Sequence, residues 1–257
     1  MRIAIIGGDG RFDVLAELLR GRHAVLRNPA AEQLSGADAI VTQNPVRNGM
    51  EMEEILRHMR PDAKLILMGS SRCSIPADVD CIDLLEQEEF VEPNAVLTAE
   101  GAICAAMQAT KGSLWGSRCM VVGCGRIGKA LAGMLMGLGA HVLVAVRNPE
   151  VRLKAKKRGA EACGTDEQSL KQAVALADFV FATPPAVLLT ESVLENVRPG
   201  VPVIDLASPP FCVDMAAAQR MGVKAWRESG LPGRYCPMAA ADLMADCVEK
   251  LLCGPLG

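Results

Sequence analysis

Met120-Val121-Val122-Gly123-Cys124-Gly125-Arg126-Ile127-Gly128-Lys129-Ala130 restricts what this chain can fold into more than any other stretch. A short apolar run stops at a glycine, three glycines follow at G-x-G-x-x-G spacing, and helical periodicity continues to residue 138. Gly123 permits the tight turn, Gly125 lets a pyrophosphate approach the backbone, and Gly128 lets helix and strand pack closely. The unpaired N–H groups and partial positive charge of the helix start then face the phosphates, with Arg126 and Ile127 completing the loop. A second strand at residues 141–146 arrives at the spacing a dinucleotide-binding unit needs.

Such a unit normally opens a domain, yet here it begins near the middle of 257 residues. What precedes it has the same rhythm. Residues 2–6, 23–26, 39–42 and 64–68 read as short strands, with helical spacing at 12–19 and 52–59. Beyond the fingerprint, strands are expected at 119–122, 141–146, 179–182 and 201–206, with a helix at 127–138. Strands alternating with helices specify parallel sheets covered on both faces. The expected fold class is therefore α/β, with two Rossmann-like domains joined by a crossing helix. Thr98 is a suitable N-cap for that helix, which would run to Lys111 and stop at Gly112.

The expected division is a substrate-side domain at 1–97, an interdomain helix at 98–113 and an NAD(P)-binding domain at 114–235. Residues 236–257 form a C-terminal helix packing back toward the first domain. Two passages echo between the halves. Ala37-Asp38-Ala39-Ile40-Val41 resembles Ala177-Asp178-Phe179-Val180-Phe181, and Ile55-Leu56-Arg57-His58-Met59-Arg60-Pro61 resembles Val193-Leu194-Glu195-Asn196-Val197-Arg198-Pro199. A shared helix-Pro-strand rhythm and a duplication both account for this.

Half the residues are hydrophobic, enough for a proper core, and the net charge of −3 provides neither a nucleic-acid footprint nor a polybasic membrane patch. Ten cysteines with no C-x-x-C read as buried thiols in a reducing cytoplasm. The opening MRIAIIGGDG is a strand and a turn, not a signal peptide, and the apolar stretch 131–146 is broken by glycines and His141. A soluble cytoplasmic protein, possessing neither nucleic-acid nor membrane partners, is expected.

Cofactor choice turns on the end of the second strand, Val146-Arg147-Asn148. An NAD site usually has a carboxylate there for the ribose 2′-OH. Arg147, followed by Arg152 and Lys154, instead suits the 2′-phosphate of NADP, although a strand-end arginine is otherwise an ordinary solvated cation. NADP is thus favoured over NAD. Arg147, Asn148, Thr183, Pro184 and Ala207 join the glycine loop as cofactor-binding candidates.

Five segments then carry a resemblance. They are the opening Ile3-Ala4-Ile5-Ile6-Gly7-Gly8-Asp9-Gly10-Arg11, then Thr98-Ala99-Glu100-Gly101-Ala102-Ile103, the glycine loop, Ile204-Asp205-Leu206-Ala207-Ser208, and Gly230-Leu231-Pro232-Gly233. In this order they resemble the dipicolinate synthase A-subunit family over nearly the whole length. The glycine loop is common to many dehydrogenases; the Gly-Gly-Asp opening, the Thr-Ala-Glu-Gly segment and Gly-Leu-Pro-Gly are far more specific. The resemblance implies NADP-linked oxidation of dihydrodipicolinate, or its hydrated form, to dipicolinate during sporulation, on a branch of the lysine pathway. It also implies a heteromer with the B-subunit of dipicolinate synthase. Two stretches depart from the family: Arg234-Tyr235-Cys236-Pro237-Met238-Ala239 stands where Ala-Pro-Lys-Thr-Ala is usual, and Pro209-Pro210-Phe211 replaces an arginine- and glycine-bearing stretch.

A dicarboxylate substrate needs cationic or N–H partners, and loss of hydride plus a proton needs a base. Arg11, Ser70, Ser71, Arg72, Thr98, Ser208 and Arg234 are the substrate-binding candidates. Glu100, placed by the expected helix start in a first turn, is the candidate for proton transfer, against a plain capping role. No histidine stands where D-2-hydroxyacid dehydrogenases keep their acid/base, and no spacing marks a metal site or a nucleophile–histidine pair. Two other readings stay open: a non-catalytic protein for NADP binding or assembly, and another two-domain dehydrogenase of the hydroxyacid or alanine dehydrogenase type. A homo-oligomer is compatible with each.

Overall fold

The computed structural model describes residues 1–47, 49–69 and 75–254. The first elements are β1 (Arg2–Ile6), α1 (Gly10–Arg20), β2 (Ala24–Arg27), β3 (Ala39–Gln43), α2 (Met52–His58), β4 (Lys64–Met68) and β5 (Cys81–Asp83). The long α3 (Glu88–Thr110) follows, then β6 (Arg118–Val122), α4 (Arg126–Gly137), β7 (His141–Ala145), α5 (Pro149–Lys157) and β8 (Glu161–Cys163). The rest is α6 (Glu167–Leu176), β9 (Phe179–Ala182), α7 (Glu191–Leu194), β10 (Val203–Asp205), α8 (Met215–Arg220), β11 (Ala225–Arg227), α9 (Leu231–Tyr235) and α10 (Pro237–Cys253). Among the described residues no helix is long and apolar enough to cross a membrane, and the cysteines are unpaired thiols.

The chain divides into two compact units, Met1–Asn94 with Pro232–Gly257, and Ala95–Leu231. Unit 1 has a parallel sheet in the order β2-β1-β3-β4-β5. Its inner strands are apolar on both faces because both are covered. On one face Ile3, Ile5, Val41 and Ile66 pack with Phe12, Leu15 and Leu19 of α1 and with Met244 and Val248 of α10. On the other, Ile6, Ile40, Leu65 and Leu67 pack with Leu34 and Ile55. Polar contacts add to the seating of α10: His23 Nε2 lies 3.1 Å from Glu249 Oε2, and Lys250 Nζ donates to Glu89 at 2.7 Å.

Unit 2 has a parallel sheet in the order β11-β10-β9-β6-β7-β8. Winding runs outward from β6 in one direction and resumes from β9 in the other, the arrangement of a Rossmann sheet. The two sheets follow one plan, since β1, β2, β3, β4 and β5 correspond to β6, β7, β9, β10 and β11, with β8 an added edge strand. The sequence echo has a structural counterpart. Asp38 accepts from Arg2 N at 2.7 Å and from Arg60 at 3.2 Å, while Asp178 accepts from Arg118 N at 2.8 Å and from Arg198 at 2.5 Å. Each carboxylate thus pins the start of the neighbouring strand and is held by the arginine that precedes a proline. The backbone bond to Arg2, ahead of the Arg60 charge, holds the Asp38 carboxyl below the usual range, and Arg118 with Arg198 does the same for Asp178.

The start expected for the connecting helix is wrong by about ten residues. α3 begins at Glu88, so Thr98 is not an N-cap and Glu100 is not in a first turn; both lie in mid-helix. Pro93 makes the preceding residues look like a break. As the sixth residue of α3 it removes one backbone bond, and burial of Phe90, Ala95, Ala99, Ala102 and Ala106 carries the helix through it.

Candidate functional site

The crevice outside the carboxyl ends of a parallel sheet opens where the winding reverses, which in unit 2 is between β6 and β9. The loops after those strands carry Gly123–Gly128 and Thr183-Pro184, and the Thr183 hydroxyl donates to the Val122 carbonyl at 2.9 Å, tying one loop to the other. The glycines do different work. Gly123 has φ +92°, and a Cβ there would press on Pro184 Cδ at 3.0 Å. A Cβ on Gly128 would stand 3.0 Å from the Gly123 carbonyl carbon, so that glycine lets α4 lie against the loop. Gly125 has an ordinary φ of −73°, and nothing lies within 4 Å of where its Cβ would be.

Gly125 therefore faces open space in front of α4. It caps that helix with no side chain, and the first turn contains no acid, so the N-terminal N–H groups retain their positive field. A pyrophosphate fits this cradle. Arg126 is exposed, and Ile127 half-buried, at the start of the same helix.

Beyond β7, Arg152 donates Nη1 to the carbonyls of Val146 and Arg147, both at 3.0 Å. Arg152 thus fixes the turn, leaving Arg147 exposed, its guanidinium without a partner among the described residues. The Asn148 side chain is occupied as the N-cap of α5, accepting from Glu150 N at 2.8 Å.

Asp205, at the end of β10, is a residue that sequence reasoning does not single out. Its carboxylate is 1% exposed and accepts three backbone N–H groups, from Ala207 (3.1 Å), Cys212 (3.1 Å) and Val213 (3.0 Å). It gathers the turn that presents buried Ala207 and exposed Ser208 at the sheet edge. Arg227 covers the Phe211 ring in that turn, 3.8 Å from its centroid. Burial pushes the neighbouring Cys212 thiol up to about 12, so it is no nucleophile. A lone acid in the apolar run Val203-Ile204-Asp205-Leu206-Ala207 is the available signal.

Unit 1 has its own reversal point, between β1 and β3. The Gly7-Gly8-Asp9-Gly10-Arg11 segment turns there, and Gly8 N donates to the Arg47 carbonyl at 2.8 Å. Arg11 is 7% exposed and grips Asp9 with both Nε (2.8 Å) and Nη2 (2.7 Å). Burial raises the Asp9 carboxyl, but the bonds and charge of Arg11, with the charge of Arg47, outweigh it and hold the group below the usual range. Gly233 lies against this pair, since a Cβ there would stand 2.7 Å from Arg11 Nε. The Gly-Gly-Asp opening and the end of Gly-Leu-Pro-Gly meet around one ion pair, its arginine buried and its carboxylate partly exposed.

The structure brings Gly123, Gly125, Gly128, Thr183 and Pro184 together, with Ala207 and Ser208 after the next strand of the same sheet. Arg11 and Arg234 belong to unit 1; Arg234 is exposed, 5.3 Å from the Tyr235 ring. Thr98 is half-buried and Glu100 exposed, both on α3. Ser70, Ser71 and Arg72 lie outside the described residues. The ligating atoms of His23, Glu249 and Cys253 lie within 4.8 Å of one another, a grouping that no local spacing in the sequence reveals. His23 Nε2 and Glu249 Oε2 lie 3.1 Å apart there, a contact between the turn after α1 and α10.

Residues 91–216 match the family described as D-isomer specific 2-hydroxyacid dehydrogenase, NAD binding domain. Over 171 residues, 66% of this chain, there is 34% identity to the A-subunit of dipicolinate synthase from Bacillus subtilis (strain 168); the aligned part spans 57% of that protein. The crystal structure of the dipicolinate synthase A-subunit from Bacillus halodurans superposes with a TM-score of 0.87 at 26% identity, covering 98% of this chain and 97% of that one. The crystal structure of its Bacillus subtilis counterpart gives 0.85 at 25% identity, covering 98% and 95%. The likeness thus extends over both units, and the matched domain is that of an oxidoreductase using a nicotinamide dinucleotide.

Proposed function

This chain is a relative of the dipicolinate synthase A-subunits, and on that premise we propose that it catalyses NADP-linked oxidation of dihydrodipicolinate, or its hydrated form, to dipicolinate. The observation that carries the reading is the meeting of Asp9, Arg11 and Gly233, which unites two of the three most family-specific segments in the unit without the glycine cradle. NADP⁺ supplies the hydride acceptor when bound. The α4 N-terminus and the open face of Gly125 hold the pyrophosphate, and Thr183, Pro184 and Ala207 form the edge beside it. Glu100 is assigned to proton transfer on the strength of its family segment. Thr98 and Ser208 are assigned to the substrate on the same ground, and Ser70, Ser71, Arg72 and Arg234 as donors and cations suited to a dicarboxylate. The B-subunit of dipicolinate synthase is the partner, and the setting is the cytoplasm of a sporulating cell.

Purified chain, NADP⁺ and dihydrodipicolinate, with and without the B-subunit, test the reading. Dipicolinate should form readily in the pair and poorly with the chain alone. In the pair, Glu100→Gln should lower turnover with NADP affinity unchanged. No dipicolinate from the pair with either cofactor would sink the proposal. The departure at Arg234-Tyr235-Cys236 favours one second reading, a cofactor-binding assembly protein, for which the pair would form and bind NADP without turnover.

Arg147 sets cofactor choice in this reading. Arg147→Ala should weaken NADP by about 1–3 kcal/mol, one charge-assisted contact, and leave NAD binding nearly unchanged. Titration of both cofactors decides; an equal loss for both, or preference of the unaltered chain for NAD, rules it out.

A further inference from the structure

The structure assigns a carboxylate subsite to the C-terminal edge of the unit 1 sheet, formed by the side-chain amide of Gln43 and the Nη1 edge of Arg11. The assignment rests on the dicarboxylate reading of the function and names where in unit 1 one carboxylate is held.

Gln43 ends β3, beside the point where the order of this sheet reverses. It is 9% exposed, and its Nε2 has no hydrogen-bond partner among the described residues. Buried amides are almost always satisfied, so an orphan at a ligand-binding edge calls for an acceptor from outside the fold. Gln43 pairs in register with Met68 of β4, so their side chains are neighbours on one face of the sheet. Arg11 Nη1 in turn reaches the Met68 sulfur at 3.7 Å, and a thioether is a weak acceptor. Nε and Nη2 of Arg11 are taken by Asp9. Two underused donors, one amide and one guanidinium, thus flank the same methionine.

The chemistry selects the ligand. Both groups donate, so the ligand must accept, and two donors suit the two oxygens of a carboxylate. Arg11, Arg47 and Asp9 sum to one positive charge, with Asp9 held ionised by its arginines, so the edge favours an anion. Gly233 lies against the Asp9–Arg11 pair, and the two bonds to Asp9 fix the orientation of the guanidinium.

The test is calorimetric titration of the full chain with dipicolinate and, separately, malonate, using NADP binding as a control on unit 2. Gln43→Leu removes the amide at similar volume, and Gln43→Glu keeps the shape but adds negative charge. Dipicolinate affinity should fall about tenfold or more in Gln43→Leu, as for loss of a bond to a charged group, and further in Gln43→Glu, with NADP affinity unchanged in both. Gln43→Leu should also melt no lower than the unaltered chain, because a buried orphan is removed. Unaltered dipicolinate affinity in both variants would overturn the subsite while leaving the dehydrogenase reading intact. Binding of malonate but not dipicolinate, still dependent on Gln43, would uphold the subsite and overturn the dipicolinate reading. If the unaltered chain binds neither, the subsite falls.

Discussion

Gly125→Val is expected to abolish cofactor binding, at least ~100-fold or about 2.7 kcal/mol, with no loss of folding stability. The backbone at Gly125 is one any residue adopts, and a Cβ there meets nothing, so the folded chain accepts valine. In the proposed reading a pyrophosphate would occupy the same open volume before the α4 N-terminus, and the valine methyls would fill it. Gly128 is the contrasting position. Its Cβ would collide with the Gly123 backbone, so Gly128→Ala should weaken binding and lower the melting temperature together. Fluorescence titration with NADPH beside thermal denaturation separates the cases. Retained affinity in folded Gly125→Val would mean that the pyrophosphate does not sit on this loop.

Asp205→Ala should cost about 3–9 kcal/mol, because three buried N–H groups lose their acceptor and each orphan costs roughly 1–3 kcal/mol. Asp205→Asn should cost about half as much, since one retained oxygen can still serve Cys212 and Val213, the pair now bound to Oδ2. Both tryptophans, Trp115 and Trp226, lie in unit 2, so their fluorescence in a urea titration reports on the unit that contains Asp205. A loss below about 1 kcal/mol for the alanine variant would show that water takes over the three donors.

What is legible in the sequence is what local pattern encodes. The inner strands carry continuous apolar runs, so β1, β4 and β9 occur at the residues where they are expected. The glycine spacing makes the cradle readable because each glycine answers a backbone constraint within a few residues. The short edge strands β5, β8 and β11 escape sequence reasoning: each lies where one side lacks a neighbour and the apolar run is short. Pro93 conceals the start of α3 because the burial that outweighs its lost backbone bond comes from tertiary packing. The Asp205 turn, the orphan amide of Gln43 and the His23–Glu249 pair depend on partners that only the folded chain brings near.

Because unit 1 is assembled from residues 1–94 and 232–257, the order in which a ribosome releases the chain is not the order in which the units can finish. The face of α1 formed by Phe12, Leu15 and Leu19 emerges early, while Met244 and Val248, which cover it, are made more than two hundred residues later. Unit 2 is whole once Leu231 has left the exit tunnel. Throughout that interval the nascent N-terminal half presents an uncovered apolar surface, the kind that holdase chaperones bind and that prematurely terminated chains expose to aggregation.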